Sequence, residues 1–199
     1  MGSDKSQTRL RVLLVDDSPQ RRAYVEQSLS DVGCDVVGFV SGKDDLVASV
    51  RRADPDVVII DIEAPGRDTL DSLRCVQTST PKPIVMFTQD DDGETITRAT
   101  RAGVSAYVVD GISQKRVRPI LDAAIERFVQ FSHLSRELEK ARTELSQRKL
   151  IDQAKGILIK QRGLSEEQAY KAMRDLAMSS NKRIADIAES VVAAAKLLT

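Results

Sequence analysis

The sequence predicts an α/β protein: a five-stranded, doubly wound parallel sheet, followed by a long coiled-coil helix and a small three-helix all-α domain. Three observations predict it. Short β-branched runs alternate with amphipathic stretches over the first two thirds of the chain. That alternation then gives way to a helical stretch with no Gly or Pro between Leu121 and Gly156, and beyond it two helix-boundary signals follow in close succession.

The β-branched runs lie at 12–15, 36–40, 57–60, 84–87 and 106–109. They are near-continuously apolar, the mark of parallel strands covered on both faces. The segments between, at 19–32, 43–53, 67–77, 92–102 and from 114 onward, carry helical patterning and give five βα units. In such sheets chemistry collects beyond the carboxyl ends of the strands.

Along the long helix Ala124, Phe131, Leu138 and Leu145 repeat every seven residues, with Leu121, Phe128, Leu134 and Ala141 near the same stripe. A coiled-coil seam has this spacing, and self-association or packing back on its own domain would each bury it. Pro119 is expected near the helix start, where a missing N–H is tolerated. After Leu145 a new apolar face begins with Leu150, Ile151, Ala154, Ile157 and Leu158. Gly163 suits a helix C-terminus, and Ser165 with Gln168 forms a capping box for a helix reaching about Met178. Ser180 or Asn181 is expected to cap a last helix running through Ala195. The resulting division is 9–128, a 129–148 linker helix and 149–198.

Composition narrows the function. Of 199 residues 41% are hydrophobic and 30% charged, enough for a core and ordinary for a soluble chain. No apolar run approaches the roughly 20 residues that cross a bilayer, and the first eight residues are polar, so the expectation is a cytoplasmic protein without a membrane partner. Cys34 and Cys75 lack neighbours at metal spacing and read as reduced thiols. His133, the single histidine, has no nucleophile arranged with it, so no enzyme is expected. Net charge is zero, yet residues 136–199 carry 13 Lys/Arg against 9 Asp/Glu while the remainder carries 17 against 21. The basic excess lies at the C-terminal end, where a mixed solvated helical surface would also account for it.

Asp16 and Asp17 follow the first strand and Asp61 ends the third, which brings three carboxylates to one sheet edge. Clustered hard oxygens suit Mg²⁺, and one carboxylate could attack a phosphoryl group. Capping at a strand-to-helix turn is an alternative role for Asp17, before Ser18 and Pro19. These residues resemble the receiver domains of bacterial two-component systems, whose fold is flavodoxin-like. Val12-Leu-Leu-Val-Asp-Asp-Ser-Pro19 looks like their first strand and acidic pair, and Asp61 with Pro65 like their phosphoacceptor loop. Thr88 and Tyr107 match the switch hydroxyl and aromatic. The resemblance covers about 9–128. It implies Asp61 as phosphoacceptor, Asp16, Asp17 and Asp61 as Mg²⁺ ligands, and Thr88 and Tyr107 as the readout. One position departs: Asp110 stands where receivers carry a Lys that meets the phosphate. An anion there reverses the local charge, so a receiver kept as a protein-binding switch is as consistent as a phosphorylated one. Lys115 or Arg116 could reach in from the following segment.

In the C-terminal part, Ala154-Lys155-Gly156 interrupts a strong helix. A mid-helix Gly costs roughly 1 kcal/mol relative to Ala, so a close approach to the backbone is expected, by a packed helix or by a ligand. Tyr170 and Arg174 are four apart and share a helix face, where a ring beside a guanidinium suits stacking of loop bases; a structural Tyr would have the same spacing. Ile151-Asp152, Ala154-Lys155-Gly156, Gly163-Leu164-Ser165, Glu167, Ala169-Tyr170, Leu176-Ala177-Met178 and Ile184-Ala-Asp-Ile-Ala188 resemble the ANTAR module of bacterial antiterminators over about 144–198. That resemblance implies binding to leader RNA with paired hairpin loops. Lys155, Gly156, Tyr170 and Arg174 are then the candidate contacts, and Arg148, Lys149 and Lys182 the phosphate partners.

Ile59-Ile60-Asp61-Ile62, Pro65-Gly-Arg-Asp-Thr69 and Ala106-Tyr-Val-Val-Asp-Gly111 resemble nitrate-responsive antiterminators of assimilation operons, the NasT type. The Asp110 departure belongs to that resemblance. It implies control by a nitrate-binding sensor protein in place of, or beside, a histidine kinase, and a homodimer formed through the coil when active. A DNA-binding response regulator is the competing reading, although 184–195 is apolar and acidic with few donors for base edges. A pure interaction switch is the third.

Overall fold

The structure, a computed structural model, describes residues 9–18, 20, 22–41 and 44–197, the last by its backbone alone. Pro19 of the first-strand motif and the expected domain end at 198 lie outside the described residues. The elements run β1 (Leu10–Asp16), α1 (Arg22–Asp31), β2 (Cys34–Val40), α2 (Leu46–Ala53), β3 (Val57–Asp61), α3 (Arg67–Ser79), β4 (Ile84–Thr88), α4 (Gly93–Arg101), β5 (Ala106–Val109), α5 (Gln114–Arg162), α6 (Glu166–Ser180) and α7 (Ile184–Leu197). All five strands pair in parallel in the order β2-β1-β3-β4-β5. The chain winds outward to β2 and then returns past β1, so the winding reverses between β1 and β3, where doubly wound folds open a crevice.

Strand residues alternate between the two faces. Leu13, Val15, Val58, Ile60, Ile84 and Met86 join α2, α3 and α4 in one core through Leu46, Leu73 and Ala99. Val12, Leu14, Val57, Ile59, Val85 and Phe87 join α1 and α5 in the other through Leu29, Val117 and Leu121. This two-sided burial explains why the strands read as continuous apolar runs.

Two helix starts fall later than the patterning suggests, α1 at Arg22 and α2 at Leu46. For α2 the cause is the cap: the Asp45 carboxylate accepts from Ala48 N and sets the first turn there.

The chain divides into two compact units between Ser132 and His133, and α5 contributes to both. Pro119 is the sixth residue of α5, beyond the first turn expected for it. Leu121 and Ala124 are also placed differently from a seam: they close the α1-side core. Past them Phe131 (70% exposed), Leu134 (67%), Leu138 (53%) and Leu145 (55%) remain open to solvent.

The second unit packs the last part of α5 with α6 and α7 around Ala154, Met173, Ala177, Ile187, Ala188 and Val192. The α5 face at Leu150, Ile151, Ile157 and Leu158 packs against it, as the change of register predicts. Gly163 takes φ 64° past the end of α5, and the Ser165–Gln168 capping box has both of its hydrogen bonds. Asn181 corrects an expectation. In the left-handed conformation (φ 53°) it ends α6, which runs through Ser180, instead of capping α7. At the start of α7 the Asp186 carboxylate accepts from Arg183 N.

Candidate functional site

Strand register builds the acidic rim. Asp16 pairs with Asp61 across β1 and β3, so the two carboxylates leave the sheet at the same level at the winding reversal. Both are buried, at 2% and 5% exposure, whereas Asp17 is exposed. Asp16 Oδ1 accepts from Ser18 N at 2.7 Å, which fixes the β1–α1 turn. The donors are hard oxygens. Among the described residues no three His, Cys, Asp or Glu side chains close into a ready metal cage. Such a set fits an ion that keeps several waters and takes one or two carboxylates, the habit of Mg²⁺, better than it fits a fully protein-caged metal.

Thr88, at the end of β4, is buried, and its Oγ1 donates to the Glu63 carbonyl at 2.6 Å while accepting from Asp90 N at 3.1 Å. Glu63 O also accepts from Gln89 N. The Thr88 hydroxyl thus ties the loop after Asp61 to the β4–α4 loop. Tyr107 reaches the same loop by donating from its phenol to Asp90 O at 2.8 Å. Burial, followed by the nearby Asp90 charge, raises the Tyr107 pKa and keeps the phenol a donor. Beyond Tyr107, Asp110 is exposed with φ 81° and Gly111 follows with φ 71°. A non-glycine residue in that region is uncommon, with Asp among those that enter it most readily. Lys115 and Arg116 are exposed on the first turn of α5.

In the second unit Tyr170 (44% exposed) and Arg174 sit one turn apart on the open side of α6, whose buried side carries Ala169, Met173 and Ala177. Arg148, Lys149 and Lys182 are exposed. Among the described residues, no atom beyond its chain neighbours and the adjoining helix backbone lies within 4 Å of the place a Cβ would take on Gly156. The expected close approach is therefore absent among the described residues, and the gap faces open space.

Lys155 is engaged differently from its exposed neighbours. Its Nζ is 2.8 Å from Asp152 Oδ1 and 2.7 Å from Glu166 Oε1, and its side chain is only 17% exposed. It ties α5 to the start of α6. Hydrogen bonds to Asp152 and then Glu166 raise the Lys155 pKa, and the bond from Lys155 lowers that of Asp152.

A response regulator receiver domain model matches residues 12–122, over half of the chain, and an ANTAR domain model matches residues 139–192. The chain is a response regulator of the ANTAR class. The transcriptional regulatory protein PdtaR of Mycobacterium tuberculosis is 30% identical over 182 residues, covering 92% of this chain and 89% of PdtaR. A protein-glutamate methylesterase/protein-glutamine glutaminase of Cereibacter sphaeroides is 39% identical over 106 residues, 52% of this chain but only 29% of the methylesterase. Its activity is not carried over by so partial a match, and the ANTAR response regulators are a regulatory family. Among solved structures, the chemotaxis response regulator CheY4 of Vibrio cholerae superposes with a TM-score of 0.51 at 26% identity, covering 59% of this chain and 99% of CheY4. The receiver domain of the putative response regulator NarL from Mycobacterium tuberculosis gives 0.51 at 24% identity, covering 58% and 96%, and supports the fold. No helix among the described residues of this response regulator is long and apolar enough to cross a membrane.

Sequence reasoning missed the partners of two residues. Asp152 stands three before Lys155 on one helix, a pairing that spacing could have signalled. Glu166, eleven residues on, could not be paired with Lys155 without the turn at Gly163. The acceptor for Thr88 is a backbone carbonyl, which leaves no trace in residue identity.

Proposed function

We propose that this response regulator is an RNA-binding transcription antiterminator, acting on leader hairpins of nitrate or nitrite assimilation operons. The observation that carries the RNA reading is the open face of α6, where Tyr170 and Arg174, one turn apart and both exposed, place a ring and a guanidinium on the same side of the helix. A splayed loop base can stack on such a pair, and Arg148, Lys149 and Lys182 offer charge to the flanking phosphates. The gap at Gly156 admits a nucleic-acid backbone that a Cβ would hinder. Lys155 reaches RNA by exchanging one of its two carboxylate partners for a phosphate. The exposed Phe131, Leu134, Leu138, Ala141 and Leu145 follow a 3-4-3-4 spacing, which suits a homodimer that sets two modules on two hairpins.

Control passes through the receiver by a sensor protein of the nitrate-binding type, by a histidine kinase acting on Asp61, or by both. Asp16, Asp17 and Asp61 would hold Mg²⁺, which supplies charge neutralisation to a phosphoryl group. Thr88 and Tyr107, both bonded into the loops beside Asp61, relay the change. With Asp110 in place of the phosphate-binding Lys, acetyl phosphate with Mg²⁺ is expected to label Asp61 slowly, and Asp110→Lys to speed it. Rapid, stable labelling of the native protein would remove the case for partner control.

The RNA reading is tested by comparing affinity for a two-hairpin leader RNA with that for duplex DNA of equal length. Equal or better DNA binding would favour a DNA-binding regulator. Against that alternative, α7 turns Ile187, Ala188 and Val192 into the core and shows Asp186 and Glu189 to solvent.

A further inference from the structure

We propose that the cleft between α3 and α4 binds a small phosphate-monoester anion. The cleft has a volume of about 280 Å³ and is lined by Arg67, Leu70, Asp71, Arg74 and Arg98. Leu70 belongs to the sheet-facing core and supplies an apolar floor. The other four lining residues are charged, three cations against one anion, a local net of +2. They sit in the part of the chain before residue 136, where acidic residues outnumber basic ones by 21 to 17. General basic composition does not account for the cluster.

The arrangement on α3 explains how like charges are held together. Arg67, Asp71 and Arg74 fall at i, i+4 and i+7 and share one face. Asp71 divides its carboxylate between them: Oδ1 accepts from Arg74 Nη1 at 3.0 Å and Oδ2 lies 3.7 Å from Arg67 Nε. A guanidinium carries five N–H donors, so each arginine keeps donors for a further acceptor. Arg98 lines the opposite wall from α4 and is half-buried.

Charge and size select the ligand class. A net of +2 matches a monoester dianion, and guanidinium forks bind pairs of phosphate oxygens side by side. A cleft this small lies just below the usual range for organic ligands, roughly 300–1,000 Å³, and suits a phosphate with a short polyol or sugar fragment. A nucleic-acid backbone instead spreads single charges along an extended groove. This site is independent of the RNA reading of the second unit.

The test follows arginine Nε–Hε resonances of the full-length protein during titration with glycerol 2-phosphate. Saturable shifts at Arg67, Arg74 and Arg98 are expected, with affinity reduced about tenfold in Arg98→Gln and further in the Arg67→Gln/Arg74→Gln pair. Dimethyl phosphate, a monoanion, should bind at least about tenfold more weakly. Asp71→Asn, which removes the internal counter-charge, should tighten binding. Thermal melts establish that each variant is folded. Absence of saturation, shifts confined to other arginines, or unchanged affinity in a folded Arg98→Gln would overturn the proposal. A phosphoserine peptide or a single-stranded RNA binding more tightly than glycerol 2-phosphate would overturn the small-molecule assignment.

Discussion

The receiver unit encloses Leu13, Ile59, Leu73, Met86 and Phe87 in two layers, one on each face of a sheet, and solvent reaches almost none of them. The ANTAR unit closes instead around Ala154, Met173, Ala177, Ile187, Ala188 and Val192, half of them alanine. Small side chains let helices approach closely but bury little area each, so the stability drawn from burial is correspondingly smaller. At its edges the helical unit has a capping box, left-handed residues past two helix ends and the Lys155 ties to Asp152 and Glu166. The residues proposed for the receiver unit's chemistry include buried strand ends, whereas those proposed for the ANTAR unit's lie on an exposed helix face.

That contrast can be broken at its strongest point first. Met173→Ala is expected to cost about 2–5 kcal/mol and to melt the helical unit while the receiver unit stays folded. Two separate calorimetric transitions in the variant would show it, and a single shared loss of both would sink the idea of separate cores. Tyr170→Ala should leave the melting temperature unchanged and weaken leader RNA binding roughly 5- to 150-fold, the worth of about 1–3 kcal/mol of stacking. A fall in stability of the same size would make Tyr170 structural.

Ser165→Ala removes one half of the capping box and should cost about 1 kcal/mol, read from chemical denaturation. Gly156→Ala tests the gap in the other direction. Helix propensity predicts a gain of up to about 1 kcal/mol, because the added Cβ meets nothing, together with weaker RNA binding. Unchanged RNA affinity would remove Gly156 from the interface.

The smallest effect concerns pH. The Asp152 pKa is lowered by its bond from Lys155, so the stability it contributes is present above the unfolded carboxylate value of about 3.9 and is lost as pH falls through the lowered one. The Lys155 pKa is raised, so its share is present below the unfolded lysine value of about 10.4 and is lost as pH rises through the raised one. Between these limits the tie should be flat with pH. Melting curves of native protein and Asp152→Asn would reveal a small difference that declines toward both extremes of pH; solvent exposure of the carboxylate keeps it small.

Local chemistry determined much of this protein. Continuous β-branched runs require burial on both faces, which made the parallel sheet and its order of elements readable, and with them the pairing of Asp16 and Asp61 at one rim. Ser165, Gln168 and Gly163 announced their helix boundary because a cap acts on backbone groups within one turn. Tertiary structure decided what depends on neighbours distant in sequence. Leu121 and Ala124 follow the heptad as well as Phe131 and Leu138 do, yet the first pair lies against the sheet core and the second faces solvent. Nothing in a seven-residue period tells which surface waits opposite each turn. Asn181 could end one helix or begin the next, and the left-handed backbone that settles it follows from how the chain turns between α6 and α7. Lys155 shows the same limit: its charge was evident in the sequence, but only the fold of α6 back toward α5 brings Glu166 to it.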